Sequence, residues 1–157
     1  MKILKLGLDY REEVNTYIEE WGNPIVTKGN IIETSDLPGF IAIDNGGVAG
    51  AALYQIKNGE CEIVVLYSLK RNTGIGAKLI EKVFDMAKEQ ACKRIWLITM
   101  NDNTHAIRYY QRRGFSLKAV HINAFKNTQL IKGEGSGLVL GIDDIPILHE
   151  FEFEIIL

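Results

Sequence analysis

The residues from Ser68 to Ala77 read SLKRNTGIGA and run into KLIEKVFDMAKEQ, a stretch with helical periodicity. Gly74 and Gly76 remove side chains from the step into that helix, and Lys70 and Arg71 set two basic groups beside it. A helix N-terminus carries unpaired backbone N–H groups and the positive end of the helix dipole, so the combination suits an anion held close to the main chain. The spacing narrows the choice of anion loop. A dinucleotide fingerprint needs a third Gly or Ala at its sixth position, where this chain has Leu79. A nucleotide-triphosphate loop needs Gly-Lys followed by Ser or Thr, whereas Gly76 is followed by Ala77, Lys78 and Leu79. Two readings remain: an anion cradle over Asn72, Thr73, Gly74, Ile75, Gly76 and Ala77 with Arg71 beside it, or a glycine-rich turn with no ligand.

The rest of the chain must position that step. Its 157 residues suit one domain, residues 1–157, that buries roughly two thirds of the surface its unfolded form exposes. Hydrophobic residues at 46% and charged residues at 24% are the balance of a soluble globule. A net charge of -2 argues against a chain-wide attraction to nucleic acid or to anionic lipid. No apolar run reaches the ~18 residues that would span a bilayer, and the start breaks into charge too early for a signal peptide, so a cytoplasmic protein is expected. Cys61 and Cys92 make no disulfide framework, and His105, His121 and His149 are scattered, so no metal site is expected.

Periodicity sets out the elements. KILKL is a short strand, and Val14, Tyr17, Ile18 and Trp21 share one face of a first helix. Residues 22–38 carry loop punctuation, with room for a short helix. Strands over Phe40 to Asp44, Val48 to Lys57 and Cys61 to Tyr67 follow, joined by Asn-Gly pairs that favour tight hairpins. The helix after the glycine step puts Ile75, Leu79, Val83 and Ala87 on one face, and KRIWLIT reads as a central strand covered on both faces. A helix from Thr104 to Arg113 ends at Gly114, suited to a left-handed cap; FSLKAVHIN returns as a strand, and the alternating HEFEFEIIL is the last one.

A second motif follows the strand KRIWLIT, in the stretch NDNTHAIRYYQRRGF. Together the two resemble the GNAT superfamily of N-acetyltransferases. Its core motif of Gln or Arg, then Gly, then Gly or Ala falls on Arg71, Gly74 and Gly76, and its later signature falls on Asn103, Ala106, Tyr110, Gly114 and Phe115. The order of elements agrees over roughly residues 1–124. The resemblance implies a mixed α/β fold: a mostly antiparallel central sheet of about seven strands flanked by helices and splayed between the fourth and fifth strands. It also implies acetyl-CoA as cosubstrate, its pyrophosphate on the amides of Asn72 to Ala77 and its pantetheine arm between Cys61 to Tyr67 and Arg94 to Met100. Leu66 then takes the position whose backbone faces the thioester, after Val64 and Val65, and its N–H is placed for an oxyanion role. The family often has Pro where this chain has Ser68.

An amine of pKa near 10 is only about one part in a thousand neutral at pH 7, so a base helps its attack. Glu62, at the strand parity of Val64 and Leu66, is the candidate relay; the alternative is a solvent-facing carboxylate. The resemblance gives Tyr110 the proton for the departing thiolate. Asn103 is a CoA contact, a helix N-cap, or both. Cys61, with no histidine placed beside it, reads as a small buried hydrophobe.

Residues 125–148 exceed a simple hairpin and read as a mobile or functional connection, over the acceptor or toward a partner copy in a homodimer, with Asp143 and Asp144 suited to a cationic acceptor. The leading expectation is acetyl transfer to a primary amine of a small molecule by direct attack in a ternary complex. The alternatives are a protein or peptide N-acetyltransferase and a non-catalytic acyl-CoA-binding module.

Overall fold

A computed structural model describes all residues from 1 to 157. Strand β1 (Lys2–Lys5) leads into helix α1 (Leu8–Trp21), and two short strands, β2 (Ile25–Thr27) and β3 (Asn30–Ile32), pair with each other. The meander follows as β4 (Gly39–Asp44), β5 (Gly47–Lys57) and β6 (Glu60–Ser68), then helix α2 (Ile75–Glu89), β7 (Arg94–Met100), α3 (Thr104–Arg112) and β8 (Ser116–His121). Helix α4 (Ala124–Lys132) and the last strand, β9 (Glu150–Ile156), complete the chain. The seven-stranded sheet has the order β1-β4-β5-β6-β7-β9-β8, with antiparallel pairing in β1–β4, β4–β5, β5–β6 and β8–β9. The mixed, mostly antiparallel fold expected from the sequence is therefore present.

Turn chemistry sets the meander. Asn45 and Gly46, and again Asn58 and Gly59, all take positive φ, between 52° and 79°, which is what a two-residue hairpin turn of this hand demands. Asp44 faces Gly47 and Lys57 faces Glu60 across the two turns. Lys28 and Gly29, at φ of 50° and 77°, make a third such turn between β2 and β3. This corrects the expectation of a loop or short helix there: the apolar pairs Ile25-Val26 and Ile31-Ile32 flank a hairpin turn.

The chain divides into two compact units. The first comprises Met1–Ile25, Glu33–Ile95 and Ile156–Leu157; the second comprises Val26–Ile32 and Trp96–Ile155. In the first unit, Val14 and Ile18 of α1 pack with Ala51, Leu53, Val65 and Tyr67 in one cluster. The other face of the same strands meets α2, whose Ile75, Leu79, Val83 and Ala87 are buried. Gly50 is the point of closest approach, because a Cβ there would lie 2.7 Å from the Tyr67 carbonyl oxygen and 2.8 Å from an Ile75 methyl.

In the second unit, Tyr110 of α3 lies with its ring centroid 5.6 Å from that of Phe115 and 6.5 Å from that of Phe153 on β9. Residues 125–148 are not a plain connection. They open with α4, closed by Gly133 in the left-handed conformation, and side chains from α4 and from the end of β7 hold the remainder: Gln129 donates to the Gly137 carbonyl at 3.0 Å. Asn101 accepts from the main-chain N–H groups of Leu148 and His149 at 2.8 and 2.9 Å, and Asp102 accepts from that of Ile142 at 3.0 Å. Strand β7 also departs from expectation: Ile95, Leu97 and Thr99 are buried, while Trp96, Ile98 and Met100 on its other face are only partly covered.

Gly50→Ala should therefore press α2 off the sheet. We expect a loss of about 1–3 kcal/mol, the usual range for overpacking, read as a lower urea midpoint at unchanged slope.

Candidate functional site

The first unit carries one part of the site along β6 and into α2. Antiparallel pairing sets Leu53 opposite Val65 and Tyr54 opposite Ile63, so Val64 is an extra residue in a bulge. The bulge reverses the side-chain alternation on its two sides. Glu62 faces Gln55 and so shares a face with Leu53 and Val65, on the α1 side, whereas Leu66 faces Ala52 on the α2 side. The shared parity of Glu62, Val64 and Leu66 expected from the sequence is corrected by this single inserted position. Nor is Glu62 a solvent-facing carboxylate: it is 3% exposed, and its Oε1 accepts from the Gln55 amide at 2.8 Å. Tyr67, two residues beyond Val65 on that face, stacks on Tyr17 with ring centroids 4.1 Å apart. Burial, followed by the neighbouring Tyr17 and Glu13, pushes the Tyr67 hydroxyl up to about 12, so it stays protonated at neutral pH.

The glycine step follows. The Ser68 hydroxyl donates to the Lys70 carbonyl at 2.8 Å, as does that of Thr73 at 2.9 Å, which tightens the loop. Lys70 is paired with Asp44, and that contact holds the Asp44 carboxyl below its ordinary range. Arg71 and Asn72 are exposed, with Asn72 at φ 57°. Gly74, at φ 75°, is the N-cap of α2; it offers no side-chain cap, and nothing lies within 4 Å of where its Cβ would stand. The first main-chain bond of the helix runs from Lys78 N–H to the Gly74 carbonyl at 3.1 Å. The N–H groups of Ile75, Gly76 and Ala77 thus open the helix without a side-chain cap, and the exposed Arg71 precedes them in the loop. Of the two basic residues read from the sequence, Lys70 is engaged with Asp44 and Arg71 is exposed.

The second unit carries the other motif. The Asn103 side chain accepts from Ala106 N–H at 3.1 Å, so it is the N-cap of α3. Tyr110 lies two turns along the same helix, with its ring partly buried between Tyr109, Phe115 and Phe153. Burial, with Tyr109 adding to it, moves its hydroxyl pKa well above the usual tyrosine value, which keeps the proton on.

A third group escaped the sequence reading. Glu150 and Glu152 alternate with Phe151 and Phe153, a pattern that by itself turns acids toward water, yet both are nearly fully buried. Their partners come from other elements: Lys28 in the β2–β3 turn and His121 on β8. The one sequence signal was the strict alternation itself, which separated the Glu face of β9 from its Phe face.

Comparison with known proteins sets these features in a family. The profile described as "Acetyltransferase (GNAT) family" matches residues 8–115. The chain is 38% identical over 120 residues to the uncharacterized protein YdhI of Bacillus subtilis (strain 168), covering 75% of each. Its fold is similar to that of the IAA acetyltransferase from Bacillus cereus ATCC 14579, with a TM-score of 0.75 at 16% identity over 99% of both chains. It is also similar to that of a GNAT family acetyltransferase from Elizabethkingia anophelis with acetyl-CoA bound, with a TM-score of 0.70 at 17% identity, over 99% of this chain and 97% of that one.

Cys61, beside Glu62, turns to the opposite face and is fully buried; burial, then Cys92 and Glu62, pushes its thiol up to about 12. At pH 8 only about one part in ten thousand would be thiolate. Iodoacetamide should leave Cys61 unmodified in the folded protein and alkylate it once urea unfolds the chain, as intact-mass spectrometry would show.

Proposed function

This chain belongs to the GNAT family of acetyltransferases, and we propose that it moves the acetyl group of acetyl-CoA to a primary amine of a small molecule by direct attack in a ternary complex. The observation that carries the reading is the uncapped start of α2. Gly74 leaves open space above the N–H groups of Ile75, Gly76 and Ala77, with Asn72 and Thr73 before them and Arg71 at hand for a pyrophosphate. The residues 1–157 are read as one N-acetyltransferase domain, in the cytoplasm.

In this reading the main chain of Val64, Val65 and Leu66 lines the acyl arm, and the Leu66 N–H polarises the carbonyl. Glu62 receives the amine's proton, directly or through water; its recessed position favours a small amine over an amino group borne on a folded surface. The amine nitrogen bonds to the carbonyl carbon and the carbon–sulfur bond breaks. Tyr110 gives its proton to the leaving thiolate and regains one from solvent. Its hydroxyl carries the proton at neutral pH, and burial, which raises its pKa, makes the transfer more demanding than for an exposed tyrosine. Asn103 holds the start of α3 through its oxygen and offers its amide N–H₂ to the cosubstrate.

Two experiments test the reading. Arg71→Ala should weaken acetyl-CoA binding about tenfold or more in calorimetry, in the range of one lost charge-assisted hydrogen bond, while Lys70→Ala changes it far less. Equal losses from the two variants would remove the cradle from the argument. In thiol-release kinetics, Tyr110→Phe should lower kcat by ~10²- to 10⁴-fold with the acetyl-CoA KM nearly constant. Glu62→Gln should show a deficit that shrinks as pH rises, because more of the amine then arrives neutral. Wild-type turnover by Tyr110→Phe would hand the proton to solvent.

A further inference from the structure

Ala51, Leu53 and Gln55 alternate along β5 on the side that faces α1. The first two join the buried cluster with Val14 and Ile18, whereas the third is polar and half-buried. A carboxamide in such a row needs a partner, and β6 supplies it. Across the ladder Gln55 faces Glu62, which is 3% exposed, and its amide donates to the Glu62 Oε1 at 2.8 Å. Both residues lie in the first compact unit.

The pairing depends on the bulge at Val64. Had the register that sets Ala52 opposite Leu66 and Leu53 opposite Val65 run on unbroken, Gln55 would face Ile63, which offers a carboxamide nothing. The inserted residue brings Glu62 into that place. One irregularity in the ladder thus turns the carboxylate inward and supplies the side chain that meets it.

The choice of an amide has a chemical consequence. An ionised carboxylate only accepts, so Gln55 must turn its N–H₂ end toward Glu62, and that bond fixes one oxygen of the group. A neutral donor orients the carboxylate while subtracting less from its basicity than a lysine or arginine in the same position would. We propose that Gln55 is a positioning residue for acetyl transfer: its hydrogen bond holds the Glu62 carboxylate in the orientation from which it takes the amine's proton. The inference rests on the reading of Glu62 as that proton acceptor, and it adds the residue that sets the acceptor's geometry.

A double-mutant cycle tests it, in thiol-release kinetics with acetyl-CoA and with butylamine, benzylamine or 1,4-diaminobutane as the amine. Gln55→Met keeps the length of the side chain but deletes the donor, so kcat should fall about ten- to a hundredfold, as for a misplaced reacting group, with the acetyl-CoA KM nearly constant. In the Glu62→Gln background the same change should cost almost nothing, because its effect passes through the carboxylate. The exchange of both residues, Gln55→Glu with Glu62→Gln, gives a second readout. It restores an amide–carboxylate pair across the same two strands, so the urea midpoint should return toward that of wild type while kcat stays at the level of Glu62→Gln. Equal losses from Gln55→Met in both backgrounds would make Gln55 a structural residue only and overturn the proposal. So would wild-type kcat in Gln55→Met beside a slow Glu62→Gln, an outcome that leaves Glu62 in its role. Wild-type kcat in Glu62→Gln, or no thiol release with any of these amines, would instead remove the proton acceptor itself and the positioning role with it.

Discussion

The start of α2 is the constraint on which the first unit is built. Helices ordinarily close their first turn with a Ser, Thr, Asp or Asn side chain, and forgoing that cap costs about 1 kcal/mol. Gly74 forgoes it, and Thr73, one residue earlier, spends its hydroxyl on the Lys70 carbonyl instead. Everything nearby keeps that bare terminus in place. Gly50 lets Ile75 and Leu79 settle onto β5, the Lys70–Asp44 pair ties the loop back to β4, and Leu69 N–H donates to the Ala49 carbonyl at 2.8 Å. The unpaired amides are thus held rigidly by a well-packed helix, which is the condition for their dipoles to act on a ligand without reorganising.

The bulge at Val64 is the second constraint. Without it, Glu62 and Leu66 would share a face, and the carboxylate would stand on the α2 side among Ile75 and Leu79. With it, Glu62 turns to the α1 side, where Gln55 meets it and Tyr67 and Tyr17 stack nearby. One extra backbone residue therefore separates the side that presents amides from the side that presents acid. Bulges commonly re-aim side chains beside active sites in this way.

Much of this was legible in the sequence where the signal is local. The Asn-Gly turns, the amphipathic α2, the glycine step and the stop at Gly114 all rest on conformational preferences of a few consecutive residues, and the structure has each of them. The bulge was not legible, because it is a property of the register between two strands and neither strand alone announces it. Strand β9 lies between β7 and β8, so its Glu residues enter an interior whose partners, Lys28 and His121, come from far away in the chain. Alternation told the faces of β9 apart but could not say which one would be covered. Helix α4 was missed because FKNTQLIK offers few apolar positions, and its end is set by Gly133 rather than by a strong hydrophobic stripe.

The two kinds of contact also differ in how tightly they bind the sequence. A cradle of main-chain amides asks only for glycine where φ is positive or where the backbone must stay open, and for a packed helix behind it. Most surrounding positions are then free to change, in keeping with a fold shared at 16% and 17% identity with solved acetyltransferases. Side-chain recognition has no such latitude. A carboxylate at the depth of Glu150 or Glu152 is tolerated only with its countercharges in place, so exchanging one group obliges others on separate elements to change with it. Lys28, His121, Glu150 and Glu152 should therefore change only as a concerted set, while the open main-chain amides at the start of α2 put little constraint on the residues around them.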